Sequence, residues 1–109
     1  MDNIEKVEYI LKKNGFNNTK ETTKSIRFES KRNSQIIYLI KNKTISIALN
    51  PYSISDKLKQ MSKGKFHSTD LRDFPKRLNN GQSEITYGYS FKFETEGELD
   101  TFLNKYINI

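Results

Sequence analysis

Hydrophobic positions recur along this chain at two spacings, and the switch between them marks its elements. Ile4, Val7, Ile10 and Leu11 fall three or four apart, which stacks them on one face of a helix over residues 3–14. Asp2 can cap that helix, and Glu5 three residues later closes a capping box. Lys12 and Lys13 suit the negative end of the dipole, and Gly15 supplies a left-handed stop. From Ser25 the period shortens to two. Ile26 and Phe28 alternate with Arg27 and Glu29 over Ser25–Ser30, and Lys31-Arg32-Asn33-Ser34 forms a turn. Gln35–Lys41 is apolar on both faces, as a central strand covered on two sides must be. After a turn at residues 41–43, Ile45, Ile47 and Leu49 point inward from Thr44–Leu49 until Asn50-Pro51 ends the ladder.

Residues 52–82 keep neither period for long. Ser55 can cap a short helix through Leu58 and Met61 that Gly64 ends, and the remainder reads as irregular up to the turn signal Asn79-Asn80-Gly81. Alternation then returns at its clearest. Ile85, Tyr87, Tyr89, Phe91 and Phe93 share one face of a strand, and Gly88 in its middle predicts a bulge or a close backbone approach. Thr95 and Glu98 form a second capping box ahead of Leu99, Phe102, Leu103 and Tyr106 at helical spacing. The predicted architecture is therefore α+β, one domain over residues 1–109, in the order helix, three strands, irregular segment, strand, helix. An antiparallel sheet of about four strands buries these stripes when the N- and C-terminal helices pack on one face. The other face is expected to stay partly open and to carry lysines.

Composition narrows the function classes. The chain has 109 residues, enough for one core, with 34% hydrophobic and 29% charged residues. Six tyrosines and seven phenylalanines argue for a folded chain despite that polarity. The longest apolar run, Ile36–Ile40, suits a buried strand rather than a membrane span, and no leader pattern opens the sequence. A cytoplasmic location without a membrane partner is the resulting expectation. Cysteine is absent, which excludes disulfides and thiolate metal sites, and the single histidine, His67, excludes a histidine-rich one. The five glycines stand singly, away from any phosphate-loop spacing. No metal or cofactor is expected.

Charge points toward polyanions. Residues 12–77 hold sixteen lysines and arginines against five acids, a balance of +11, whereas residues 81–109 hold two against five, a balance of −3. Such a dipolar chain steers toward negative partners. The candidate binding cations are Lys31, Arg32, Lys41 and Lys43 at the hairpin tips, with Lys57, Lys59, Lys63, Lys65, Arg72, Lys76 and Arg77 in the irregular segment. Tyr38, Tyr52, Phe66, Tyr87 and Tyr89 are the rings that can stack on bases, although rings on alternating strands more often build a core. Lysines outnumber arginines fifteen to four, so a solvated surface explains much of the excess. The RNA-recognition sheet motif is missing.

His67-Ser68-Thr69-Asp70-Leu71-Arg72-Asp73-Phe74-Pro75 gathers the only histidine with hydroxyls and carboxylates. Read as chemistry, His67 is a general base oriented by Asp70, with Arg72 holding an anion. Read as structure, Ser68 or Thr69 caps a turn, Phe74 plugs the core and Pro75 ends the segment. The reading preferred from the sequence is a non-enzymatic nucleic-acid-binding or accessory module, with His67 among its candidate binding residues and none assigned to catalysis. The alternative is an interaction or immunity-type module that binds an acidic protein or itself, through the open sheet face and the acidic C-terminal helix.

Several short segments resemble the small bacterial proteins of the YgaC family. They are Val7–Phe16 (VEYILKKNGF), Ile47-Ala48-Leu49-Asn50-Pro51, the stretch from His67 through Phe74-Pro75, and Tyr87-Gly88-Tyr89 with the helix around Leu99, Phe102 and Leu103. They occur in the same order over most of the chain; residues 53–65 and Lys76-Arg77 depart from the pattern. The resemblance implies a compact α+β domain in a bacterial cytoplasm. It implies no activity and no catalytic residue.

Overall fold

Each element predicted from the two periods is present in the computed structural model, which describes residues 3–79, 81 and 83–108. Helix α1 (Ile4–Lys13) buries Val7 and Leu11. Its cap position is Asn3, whose side chain makes no capping bond, and the proposed cap Asp2 lies outside the described residues. Gly15, at φ +90°, turns the chain straight into strand β1 (Phe16–Glu21). Strands β2 (Ser25–Ser30), β3 (Ile36–Lys41) and β4 (Ile45–Leu49) follow as the expected antiparallel meander. Helix α2 (Asp56–Met61) starts where Ser55 accepts a hydrogen bond from the Leu58 amide. Two short strands come next, β5 (Lys65–His67) and β6 (Lys76–Asn79), then the long β7 (Ser83–Phe93). Helix α3 (Glu96–Phe102), capped by Thr95, continues into a wider π-helical turn over Leu103–Ile107. No helix among the described residues is long and apolar enough to cross a membrane.

The four expected strands thus belong to a seven-stranded antiparallel sheet of order β1-β2-β3-β4-β7-β5, with β6 also paired to β7. Backbone groups of alternate residues point to opposite edges of a strand. Ser90 donates to Gly64 and Thr86 accepts from Ser68 on one edge of β7, whereas the Tyr87 amide donates to Pro75 on the other. β4 and β6 therefore lie end to end along one edge, opposite Phe93–Tyr89 and Thr86–Ser83 respectively, with β5 on the far edge.

The helices cover one face, as expected. Val7, Leu11, Leu58, Leu99, Phe102 and Leu103 pack there against Ile26, Phe28, Ile37, Leu39, Ile47, Leu49 and Phe91. The expectation of a partly open opposite face is corrected. Residues 68–75 arch across it from the β5 edge to the β6 edge, and bury Leu71 and Phe74 against Tyr38, Ile40 and Ala48. Removing those two side chains from water contributes about 1.5–3 kcal/mol each. Gly88 is explained by this cover. A Cβ there would stand 2.9 Å from the Leu49 carbonyl oxygen and 3.0 Å from the Phe74 ring.

Candidate functional site

β7 runs on past the helical cover, and the uncovered stretch is where rings and cations meet. Cross-strand partners share a face. Lys65 stands opposite Tyr89, His67 opposite Tyr87 and Arg77 opposite Ile85. Tyr89 packs on the edge of the helical core, which puts all of these side chains on the helical side of the sheet. The Lys65 ammonium sits 5.9 Å from the Tyr89 ring centre, and Lys59 from α2 sits 5.7 Å from it. The Arg77 guanidinium lies 5.7 Å from the Tyr87 ring, and His67 stacks on that ring at 5.7 Å. Burial pushes the Tyr87 hydroxyl above its ordinary pKa, the neighbouring Tyr89 and Tyr52 add to the rise, and Arg77 opposes it. Tyr52 itself is 82% exposed, on a turn in which the Asn50 side chain accepts from its amide.

None of these cations is held by a close ion pair among the described residues. Lys65 and Arg77 make no ion pair among the described residues, and Lys59 reaches only Asp56, at 4.0 Å with that side chain 97% exposed. A pair so exposed holds little energy. Three cations elsewhere are neutralised at short range, Lys13 by Asp100, Arg27 by Asp73 and Glu29, and Lys41 by Glu21, whereas Lys20, Lys31, Lys43, Lys63, Arg72 and Lys76 also lack an ion pair among the described residues.

The remaining predicted cations are dispersed. Lys31 and Arg32 occupy the β2–β3 turn, while Lys41 ends β3 and Lys43 follows in the β3–β4 turn, a separation of roughly 20 Å for a six-residue strand. Arg32 bonds to Asn108, and Lys43 borders a hollow shared with Glu94 and Glu96. Lys63 is exposed just ahead of β5. Arg72 and Lys76 line a shallow hollow with Thr69 and Thr86, whose register places it on the opposite face. The structure therefore joins Lys65, His67 and Arg77 with Lys59, and leaves Lys31, Arg32, Lys41, Lys43, Arg72 and Lys76 outside that group.

The stretch 67–75 is divided between the two faces. Asp70 Oδ2 accepts from the Thr22 hydroxyl at 2.6 Å and the Ser25 hydroxyl at 2.8 Å. Asp73 accepts from Arg27 Nε and from the Tyr38 hydroxyl, both at 2.6 Å. Arg27 also donates to Thr19 and Glu29. Hydroxyl donors hold Asp70 below the usual carboxylate range, and Arg27 does the same for Asp73. Burial and the Asp73 charge push the Tyr38 hydroxyl up to about 12. His67 meanwhile faces Tyr87 on the helical side, and its Nε2 is shut off from solvent without a hydrogen-bond partner among the described residues. A base must reach its substrate, so the grouping of His67, Asp70 and Arg72 is not assembled as a catalytic site. The network through Thr22, Ser25, Arg27 and Tyr38 has no local sequence signal, because its partners lie 35 to 48 residues apart. No protein-family model matches the chain, and no curated protein matches it.

Proposed function

We propose that this chain is a non-enzymatic binding module for single-stranded nucleic acid, engaged through Tyr52, Tyr87 and Tyr89 with Lys59, Lys65 and Arg77. The observation that carries the reading is the coincidence, on one acid-poor strip, of cations without strong ion pairs and partly exposed rings. Phosphates attract the cations, and the lysine stems are long enough to swing their ammonium groups from the Tyr89 ring to a phosphate. That movement opens the ring face to a base, where stacking contributes about 1–3 kcal/mol. An acidic protein would meet the same cations, but the rings favour a partner with flat apolar faces. The acidic C-terminal helix is a weaker docking element, since Asp100 is already bonded to Lys13, Asn14 and Asn104. Membership of a YgaC-like family, proposed on the segments quoted above, implies no activity and leaves this reading unchanged.

Fluorescence anisotropy with labelled oligothymidylate and oligouridylate tests the proposal. With three phosphate contacts, raising salt from about 50 to about 200 mM is expected to weaken binding roughly tenfold to twentyfold. Absence of binding at the lower salt, or an affinity indifferent to salt, contradicts it.

A further inference from the structure

The sheet's other face carries a cavity that the strip does not use. It measures about 320 Å³, near the lower end of the roughly 300–1,000 Å³ typical of small-molecule sites. Its wall includes Lys20, Arg27, Tyr38, Asp70, Arg72 and Asp73. Most polar groups there are already matched. Thr22 and Ser25 donate to Asp70, Arg27 and Tyr38 donate to Asp73, and Arg27 also donates to the Thr19 hydroxyl.

Three groups are left over. Asp70 Oδ1 accepts no hydrogen bond among the described residues, and the side chains of Lys20 and Arg72 make no hydrogen bond or ion pair among them. The site thus presents one unmatched acceptor of negative charge and two unmatched donors of positive charge. A simple anion entering it meets the Asp70 and Asp73 carboxylates. A simple cation meets Lys20, Arg72 and the nearby Lys24, the last two of which act on Asp70 through their charge without a direct ion pair. A molecule with both charges a few ångströms apart satisfies every leftover group at once.

We propose that this cavity binds a free α-amino acid as its zwitterion, with the ammonium on Asp70 and the carboxylate held by Arg72 and Lys20. Arg72 and Lys20 are exposed, so their side chains can close on the carboxylate without moving the backbone. The ligand would then tie the arch over residues 68–75 to the β1–β2 end of the sheet. This makes the site independent of the nucleic-acid strip on the other face.

Amide chemical shifts of the isotope-labelled protein, titrated with the standard amino acids in pools, test the inference. At least one free amino acid is expected to move the resonances of Thr22, Ser25, Asp70 and Arg72. Its carboxamide and its N-acetyl derivative, each lacking one charge, are expected to bind at least about tenfold more weakly. Arg72→Ala removes no intramolecular hydrogen bond of that side chain, so it should leave the fold intact and weaken binding about tenfold, whereas Asp70→Asn should abolish it. The proposal is overturned if no pool moves these resonances. It is equally overturned if the carboxamide or the N-acetyl form binds as tightly as the free amino acid, or if a folded Arg72→Ala protein binds unchanged.

Discussion

The two faces of the sheet are closed by different means. On one, regular helices lay apolar stripes over apolar strands, and the helical backbone satisfies its own hydrogen bonds. On the other, an irregular arch supplies only Leu71 and Phe74, and is pinned along its length where Asp70 and Asp73 accept side-chain hydrogen bonds from Thr22, Ser25, Arg27 and Tyr38. Its backbone is matched piecemeal. The Ser68 amide donates to Thr86, the Thr86 hydroxyl returns a bond to the Ser68 carbonyl, and Phe74 donates to Leu71. The comparison teaches that a loop can complete a core, but only when charged groups pin it in place. Such a cover is sensitive to pH in a way that a helix packed through leucines is not.

The sharpest way to break this comparison is to empty the arch. Phe74→Ala is expected to destabilise the protein by about 3–5 kcal/mol, as much as Leu11→Ala on the helical face, where about 2–5 kcal/mol is expected. Urea unfolding of both variants measures it, and a loss below about 1 kcal/mol for Phe74→Ala would mean the arch is decoration. Gly88→Ala comes next, at about 1–3 kcal/mol, because the new methyl group meets the rigid Leu49 carbonyl as well as Phe74.

Acid should weaken the arch through two carboxylates and the helical side through one. The folded-state pKa values of Asp70 and Asp73 lie below their unfolded values, so the unfolded chain takes up protons first as pH falls. Their contribution is whole above the unfolded value of about 3.9 and is lost progressively as pH drops through it toward the folded values. Asp100, held down by Asn14 and Lys13 on the helical side, adds to the same loss. Replacing Asp70 and Asp73 by asparagine should flatten the acid limb of a stability–pH curve measured by chemical unfolding, while the part due to Asp100 is retained. An unchanged limb would show that these carboxylates do not pin the arch.

How much of this was legible in the letters depended on the range of the interactions. α1, β2, β4, β7 and α3 were readable because each shows a periodic face over at least five residues, and β3 because it is a continuous apolar run. β1 was not, since Phe16 is its only buried residue and an edge strand facing water needs no alternation. β5 and β6, at three and four residues, are too short to display a period. The candidate cations were nameable from charge, but nothing local distinguished Lys65 and Arg77 from Lys31 or Lys43. Pairing of β5 and β6 with β7 sorts them, and that pairing is a tertiary fact. Closeness in sequence misled at His67 and Asp70, which are three residues apart yet serve opposite faces.

The smallest expected effect on stability is the most informative for function. Lys65→Ala and Arg77→Ala, both at exposed positions without ion pairs among the described residues, should each change stability by no more than about 0.5 kcal/mol. Each should nevertheless lower the salt dependence of oligonucleotide binding by about 0.7 in log–log slope, read from the anisotropy series. Loss of slope without loss of stability would separate a binding surface from a merely solvated one.

The most direct measurement is a map of amide and tyrosine ring resonances during titration with oligothymidylate at low salt. Shifts concentrated at Tyr52, Lys59, Lys65, His67, Arg77, Tyr87 and Tyr89, with the turns at Lys31-Arg32 and Lys41–Lys43 unmoved, are the predicted result. Shifts centred on those turns, shifts scattered over the whole surface, or none at all would contradict the assignment of binding to the uncovered end of β7.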